Sequence, residues 1–191
     1  IPGTEVTTYR GHHNNQGSGP PVDFRGGPVF APAPGTPLGV NVPDSALQKV
    51  RDPVTPASQF AELTAAGNWS QINHPTIFRD QPSFCRGCAW GYSDEETDFS
   101  KVDAIEVQTG PAGVPAASPA APNPFTATAF AFYERALDTG AHIAAVGSSD
   151  DHRGGSATGP FDSPVGRATT MVFADQLSQA EVVDGVKGDH T

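Results

Sequence analysis

The chain has 191 residues, room for one domain with a sizeable core. A net charge of -10 speaks against broad contact with nucleic-acid phosphates, and no apolar run approaches the length of a membrane span. With 37% hydrophobic residues, 21 Gly and 19 Pro, the composition is that of a soluble, loop-rich chain.

Residues 3–9 alternate and are rich in Val and Thr, which predicts a strand. Residues 16–43 are broken by Pro and Gly and read as loop. Asp44 can cap a short helix over 45–50. Thr55 and Pro56 form the N-cap and first turn of a helix that carries Phe60, Leu63 and Thr64 and stops at Gly67. A short strand follows at 70–73. Residues 75–100 are irregular, and 102–108 (VDAIEVQ) make a buried strand. A Pro/Ala-rich loop spans 111–124.

Residues 125–139 form the clearest helix: Phe125, Ala129, Phe132, Ala136 and Leu137 share one face, and Gly140 ends it. A strand is predicted over 142–147, a loop over 154–166 and a strand over 168–173. Ser178 with Glu181 makes a capping box for a last helix to about Lys187. Strands alternate with helices from residue 56 onward. The expected class is therefore α/β, with parallel strands and helical crossovers in a barrel or an open sheet. In such folds the chemistry sits at the carboxyl ends of strands.

Acidic and imidazole side chains collect just past the short apolar runs. Glu5 lies in the first strand, His12 and His13 follow in a Gly-rich stretch, His74 ends Gln71-Ile72-Asn73-His74-Pro75, and Asp150 and His152 follow the strand at 142–147. A divalent ion takes imidazole nitrogen and carboxylate oxygen, held stiffly, with a position open for water. Each residue also has an ordinary reading: a half-exposed strand Glu, solvated loop histidines, a His bonded in a turn, an Asp capping a polar turn. Pro75 biases His74 toward an extended backbone. In Asp-x-His after a strand, residues two apart can point the same way. Glu106 either orients a ligand His or is an ordinary strand Glu. Arg79, Arg86 and Arg153 flank the motifs and could grip an anion, although surface solvation is the commoner role.

The ordered set Gly3-Thr4-Glu5-Val6-Thr7, Gly11-His12, Ile72-Asn73-His74-Pro75, Cys85-Arg86-Gly87-Cys88-Ala89-Trp90, Asp103-Ala104-Ile105-Glu106-Val107 and Ser149-Asp150-Asp151-His152-Arg153 resembles the later motifs of a PHP-domain (polymerase and histidinol phosphatase) metallohydrolase, in its CehA/McbA-like branch. The resemblance runs from about Gly3 to Lys187 and is weakest over 18–66 and 111–124. It implies a distorted (β/α)7 barrel binding two or three divalent ions (Zn, Mn or Fe) that hydrolyse phosphoesters or aryl carbamate and carboxyl esters of small molecules.

By that resemblance Glu5, His12, His74, Asp150 and His152 are metal ligands, with Asp150 and His152 also the catalytic pair. His12 rather than His13 matches the pattern Gly-His-x-Asn. The family's H-x-H and Asp-His motifs, which precede the Glu strand, are not among these residues. The chain thus reads as the C-terminal portion of one such domain, its site completed by an upstream segment or another chain. The alternative is a non-catalytic metal-binding or structural domain derived from that fold. Neither a nucleic-acid nor a membrane partner is expected, and the compartment is not legible.

Cys85 and Cys88 form a CxxC that can be a redox pair, half a zinc site or a local disulfide. A third, lower-ranked reading builds a redox module on that pair.

Overall fold

A computed structural model describes residues 1–17, 19–20, 22–24, 29–32, 45, 47–51, 54–81, 83–85, 87–110, 113–114, 121–156 and 163–191. In chain order its elements are β1 (Gly3–Thr8), β2 (Gly11–Gln16), β3 (Val29–Pro32), β4 (Leu47–Arg51), α1 (Pro56–Ala65), β5 (Trp69–Ile72), α2 (Asp94–Thr97), β6 (Ala104–Thr109), β7 (Gly113–Val114), β8 (Ala121–Pro122), α3 (Pro124–Leu137), β9 (Ala144–Ser148) and α4 (Gln179–Lys187). A single 3₁₀ turn, Phe99–Lys101, precedes β6.

Five strands make one mixed sheet in the order β1-β2-β5-β6-β9. The β1–β2 and β2–β5 pairs are antiparallel, and the β5–β6 and β6–β9 pairs are parallel. The α/β class holds, but among the described residues the sheet is open and does not close into a barrel. The parallel half follows from the chain order: α3 carries the chain from β6 back to the start of β9.

Local chemistry sets the helix starts. At α1, Thr55 Oγ1 accepts from Ser58 N at 3.1 Å and Ser58 Oγ from Thr55 N at 3.0 Å, with Pro56 in the first turn. At α3, Asn123 Oδ1 accepts from Phe125 N at 3.0 Å, and at α4 Ser178 Oγ accepts from Glu181 N at 3.2 Å. The inward face of α3 buries Ala129, Phe132 and Ala136. Phe132 and Ala136 join Phe60, Leu63, Ile72, Ile105 and Ile143, the last five each 0% exposed, in the main core. Burying a side chain of that size fully contributes about 1.5–3 kcal/mol.

Several elements differ from the sequence expectation. Residues 11–16 form β2 rather than loop, because Gly11 permits a tight turn where a Cβ would run into the Trp90 ring. Residues 47–51 form β4, paired with β3, not a helix. A six-residue helix leaves most of its terminal N–H and C=O groups unpaired, and pairing with a strand satisfies them. The expected cap of that helix, Asp44, lies outside the described residues.

Residues 168–173 form no strand. Thr170 Oγ1 instead bonds both the N–H and the carbonyl of Gly147 on the outer strand β9, each at 3.0 Å, so a side chain meets that edge where a ladder was expected. Met171 and Phe173 stay 77% and 75% exposed, and only Val172 between them packs against the cluster of Trp69, Ala104, Ala144, Val146 and Val186. The loops expected at 16–43 and 111–124 carry short strands, β3 and the β7–β8 pair, and α2 forms within the stretch 75–100 expected to be irregular; parts of 16–43, 111–124 and 154–166, and Arg86, lie outside the described residues.

Candidate metal centre

Strand alternation separates the two adjacent histidines. Glu5 stands opposite Asn14 and Val6 opposite His13 in the β1–β2 register. Side chains two apart share a face, so Glu5, His12 and Asn14 face one way and Val6 and His13 the other. His13 enters the core, edge-on to Phe60 at 5.2 Å and to Trp90 at 6.3 Å between ring centroids. Both its nitrogens lack a hydrogen-bond partner among the described residues, and burial pushes its pKa down to about 4. His12 is the histidine that meets Glu5, as the Gly-His-x-Asn pattern implied.

An amide chain holds Glu5 in place. Asn73 Nδ2 donates to Glu5 Oε1 at 3.0 Å and to Asn14 Oδ1 at 2.9 Å, while Asn73 Oδ1 accepts from Gln71 Nε2 at 2.9 Å. Glu5 Oε1 then stands 3.4 Å from His12 Nδ1 and 3.7 Å from His74 Nε2. Both separations exceed an ordinary hydrogen bond. Two donors that grip one tetrahedral ion, each at about 2.1 Å, sit about 3.4 Å apart. The His12 and His74 imidazoles hold the Glu5 carboxyl well below the usual carboxylate range.

His74 is fixed from two sides. Its backbone N–H donates to Glu106 Oε2 at 2.6 Å, and its Nδ1 lies 3.2 Å from the Cys88 carbonyl. A carbonyl only accepts, so Nδ1 carries the proton and the Nε2 lone pair faces Glu5 Oε1. Two acceptors facing one another call for a cation between them, a proton or a metal ion. Burial pushes the His74 imidazole down, but Glu5, Glu106 and Asp150 outweigh it and hold the pKa above the ordinary value. The extended backbone expected before Pro75 is not adopted: His74 has φ 28. The buried Glu106 carboxylate and the Cys88 carbonyl pin its two N–H groups and override the local preference.

Glu106, 1% exposed, also accepts a short hydrogen bond from Ser148 Oγ. Burial pushes its carboxyl up, opposed by that bond. Glu106 thus fixes the His74 backbone.

These groups open onto a cleft of about 420 Å³, lined among others by Glu5, Asn14, Asn73, His74, Glu106 and Asp150. Three carboxylates and no Lys or Arg line it, so the empty walls attract a cation and repel an anion. Asp150 has φ 52, a left-handed conformation that Asp tolerates, and burial pushes its carboxyl up. His152 does not join the group. It is exposed, and its Nδ1 pairs with the Asp150 carbonyl at 2.7 Å. A second cavity of about 490 Å³, lined by Phe78, Phe125 and Phe132 with Arg79 and Arg135, brings no imidazole near a carboxylate.

The chain matches no family model, no curated protein and no solved structure. Two features escaped the sequence reading. Asn73 is the hub of the amide chain, and Cys88 comes close to His12 and His74: one ligand atom from each of the three lies within 4.8 Å of the others. The sequence signal for Cys88 was its spacing from the NHP motif, which places both in one connection between parallel strands. In this structure Cys88 is bonded to Cys85, so the local-disulfide reading of the CxxC describes it.

Proposed function

We propose that this chain is PHP-like and acts as a metal-dependent hydrolase on small-molecule phosphoesters or aryl esters. The observation that carries the reading is His74 Nε2 facing Glu5 Oε1 at 3.7 Å, a pair that a proton or a metal ion between them would satisfy. Glu5, His12 and His74 would hold the ion, with Asp150 beside them in the same cleft. The donor set of two imidazoles and carboxylates suits Zn, Mn or Fe.

A divalent ion in such a set supplies Lewis acidity, drawing the pKa of a water toward about 7 and polarising an ester oxygen. The chain's own groups do the rest. Asn73 aims Glu5, Glu106 fixes His74, and Asp150, whose pKa burial raises, holds the proton released by the attacking water. The amides of Asn14, Gln16 and Asn73 line the cleft and orient a polar substrate.

Calorimetric titration with Mn and Zn, of the wild type and Glu5→Gln, tests the reading. Saturable binding that weakens at least tenfold in the variant, with metal-dependent cleavage of a nitrophenyl phosphodiester, phosphomonoester or aryl ester, is expected. Absence of binding in both chains defeats it. The exposed position of His152 favours one second reading, a non-catalytic domain holding a single ion, which binding without any cleavage would select.

A further inference from the structure

We propose that Cys88 is a thiol-gated metal ligand: reduction of the Cys85–Cys88 disulfide lets the Cys88 thiolate join His12 and His74 on a zinc-like ion. The inference rests on reading His12 and His74 as metal ligands. His12, His74 and Cys88 are 8%, 4% and 7% exposed, and their ligand atoms already lie within 4.8 Å of one another. Around a tetrahedral Zn ion such atoms sit about 3.4–3.6 Å apart, so about an ångström of side-chain closure completes the set. A disulfide sulfur carries no charge and ligates poorly, whereas a thiolate is a strong, soft ligand.

The backbone keeps Cys88 in place without help from the disulfide. Its carbonyl lies 3.2 Å from His74 Nδ1, and two residues on, Trp90 N–H donates to the Pro75 carbonyl at 2.8 Å. The Trp90 indole donates to Thr97 Oγ1 at 2.9 Å. On the other side Gly87, with φ +88, lies so close to the Thr8 carbonyl and Tyr9 that a Cβ would collide with them. The sulfurs are unequal in access: Cys85 is half-buried and Cys88 buried.

That difference gives the reaction its direction. One thiol of an incoming dithiol attacks Cys85 Sγ, the S–S bond breaks, and Cys88 leaves as thiolate beside the two imidazoles. The second thiol of the dithiol attacks its own sulfur in the mixed disulfide and releases Cys85. The dithiol is oxidised by two electrons and the protein disulfide reduced by two. Of the two thiol protons, one ends on Cys85 and one goes to solvent, since Cys88 remains a thiolate on the ion. The oxidised chain then offers imidazole and carboxylate alone. The reduced chain adds sulfur and shifts preference toward Zn and Co over Mn.

Anaerobic cobalt(II) titration of the full chain tests this, with any dithiol removed before cobalt is added. The expected result is a thiolate-to-cobalt charge-transfer band in the near ultraviolet for the reduced protein only, with affinity raised roughly tenfold or more. Cys85→Ser, which leaves Cys88 unpaired, should give the band without reductant. Cys88→Ser should lack it in every state while keeping the weaker visible absorption of the His and Glu ligands. Cobalt binding in both redox states with no charge-transfer band overturns the role of Cys88 and leaves the Glu5–His12–His74 reading standing. Cobalt binding to no form overturns both. Circular dichroism tracks folding: if the reduced wild type and Cys85→Ser both unfold, the backbone contacts do not hold Cys88 and the proposal fails.

Discussion

Glu106 offers the sharpest test of how the site is held. Its carboxylate is 1% exposed and accepts from two donors, the His74 N–H at 2.6 Å and the Ser148 hydroxyl. Glu106→Ala leaves the His74 N–H buried and unpaired, at about 1–3 kcal/mol. It also opens a cavity of roughly 50 Å³, at about 24 cal/mol per Å³ another 1 kcal/mol or so. Relief of a buried carboxylate offsets part of this, so the expected loss is about 2–3 kcal/mol. Glu106→Gln keeps an oxygen for the His74 N–H and gives its NH₂ to Ser148, which can turn to accept. It should stay within about 1 kcal/mol of wild type. Because burial raises the Glu106 pKa, the folded carboxyl holds its proton longer than the unfolded one. Wild-type stability therefore falls relative to Gln as pH rises through that window. Urea denaturation of the three chains measures these differences, and cobalt titration should show Glu106→Ala weakened about 10–100-fold. An alanine variant with wild-type stability and cobalt affinity would refute the claim that Glu106 holds His74.

His13 predicts an acid-sensitive core. Its folded pKa of about 4 lies below the ordinary 6.5, so the unfolded state binds the extra proton between those values. Its contribution is complete above pH 6.5 and falls by about 1.4 kcal/mol per pH unit toward pH 4. The urea midpoint of wild type should thus drop more steeply over that window than that of His13→Leu, and parallel curves would contradict it. Among the histidines, His74→Ala should weaken Mn or Zn binding far more than His152→Ala, measured calorimetrically. Equal losses would mean that the loop carrying His152 folds onto the site. Phe60→Ala, at a position 0% exposed and stacked near Trp90, should cost about 3–5 kcal/mol by denaturant midpoint. A loss under about 1 kcal/mol would mean the core is not packed as described.

Several elements were legible because their signals are local. The Thr55 N-cap followed by Pro56 and the apolar face of α3 act within a few residues, and both helices form where the sequence puts them. The buried-strand run 102–108 likewise marked β6, while the burial of Glu106 came only with the fold. The ligand candidates Glu5, His12 and His74 were visible as residue types at the ends of apolar runs, and the structure places Glu5 Oε1 3.4 Å from His12 and 3.7 Å from His74.

What the sequence did not reveal depends on partners distant along the chain. Whether 47–51 is helix or strand turned on pairing with 29–32, and 168–173 failed as a strand because Thr170, not a backbone ladder, meets the edge of β9. His74 leaves its local preference because Glu106, 32 residues away, binds its N–H. Cys88 reaches His12 and His74 only because Gly87 lets its loop lie flat on the β1–β2 turn. Residue types and their periodicity determined which groups could ligate and which faces are buried, since both act at short range. Only the folded chain decided which nitrogen faces which oxygen, because that depends on hydrogen bonds closed between strands far apart in sequence.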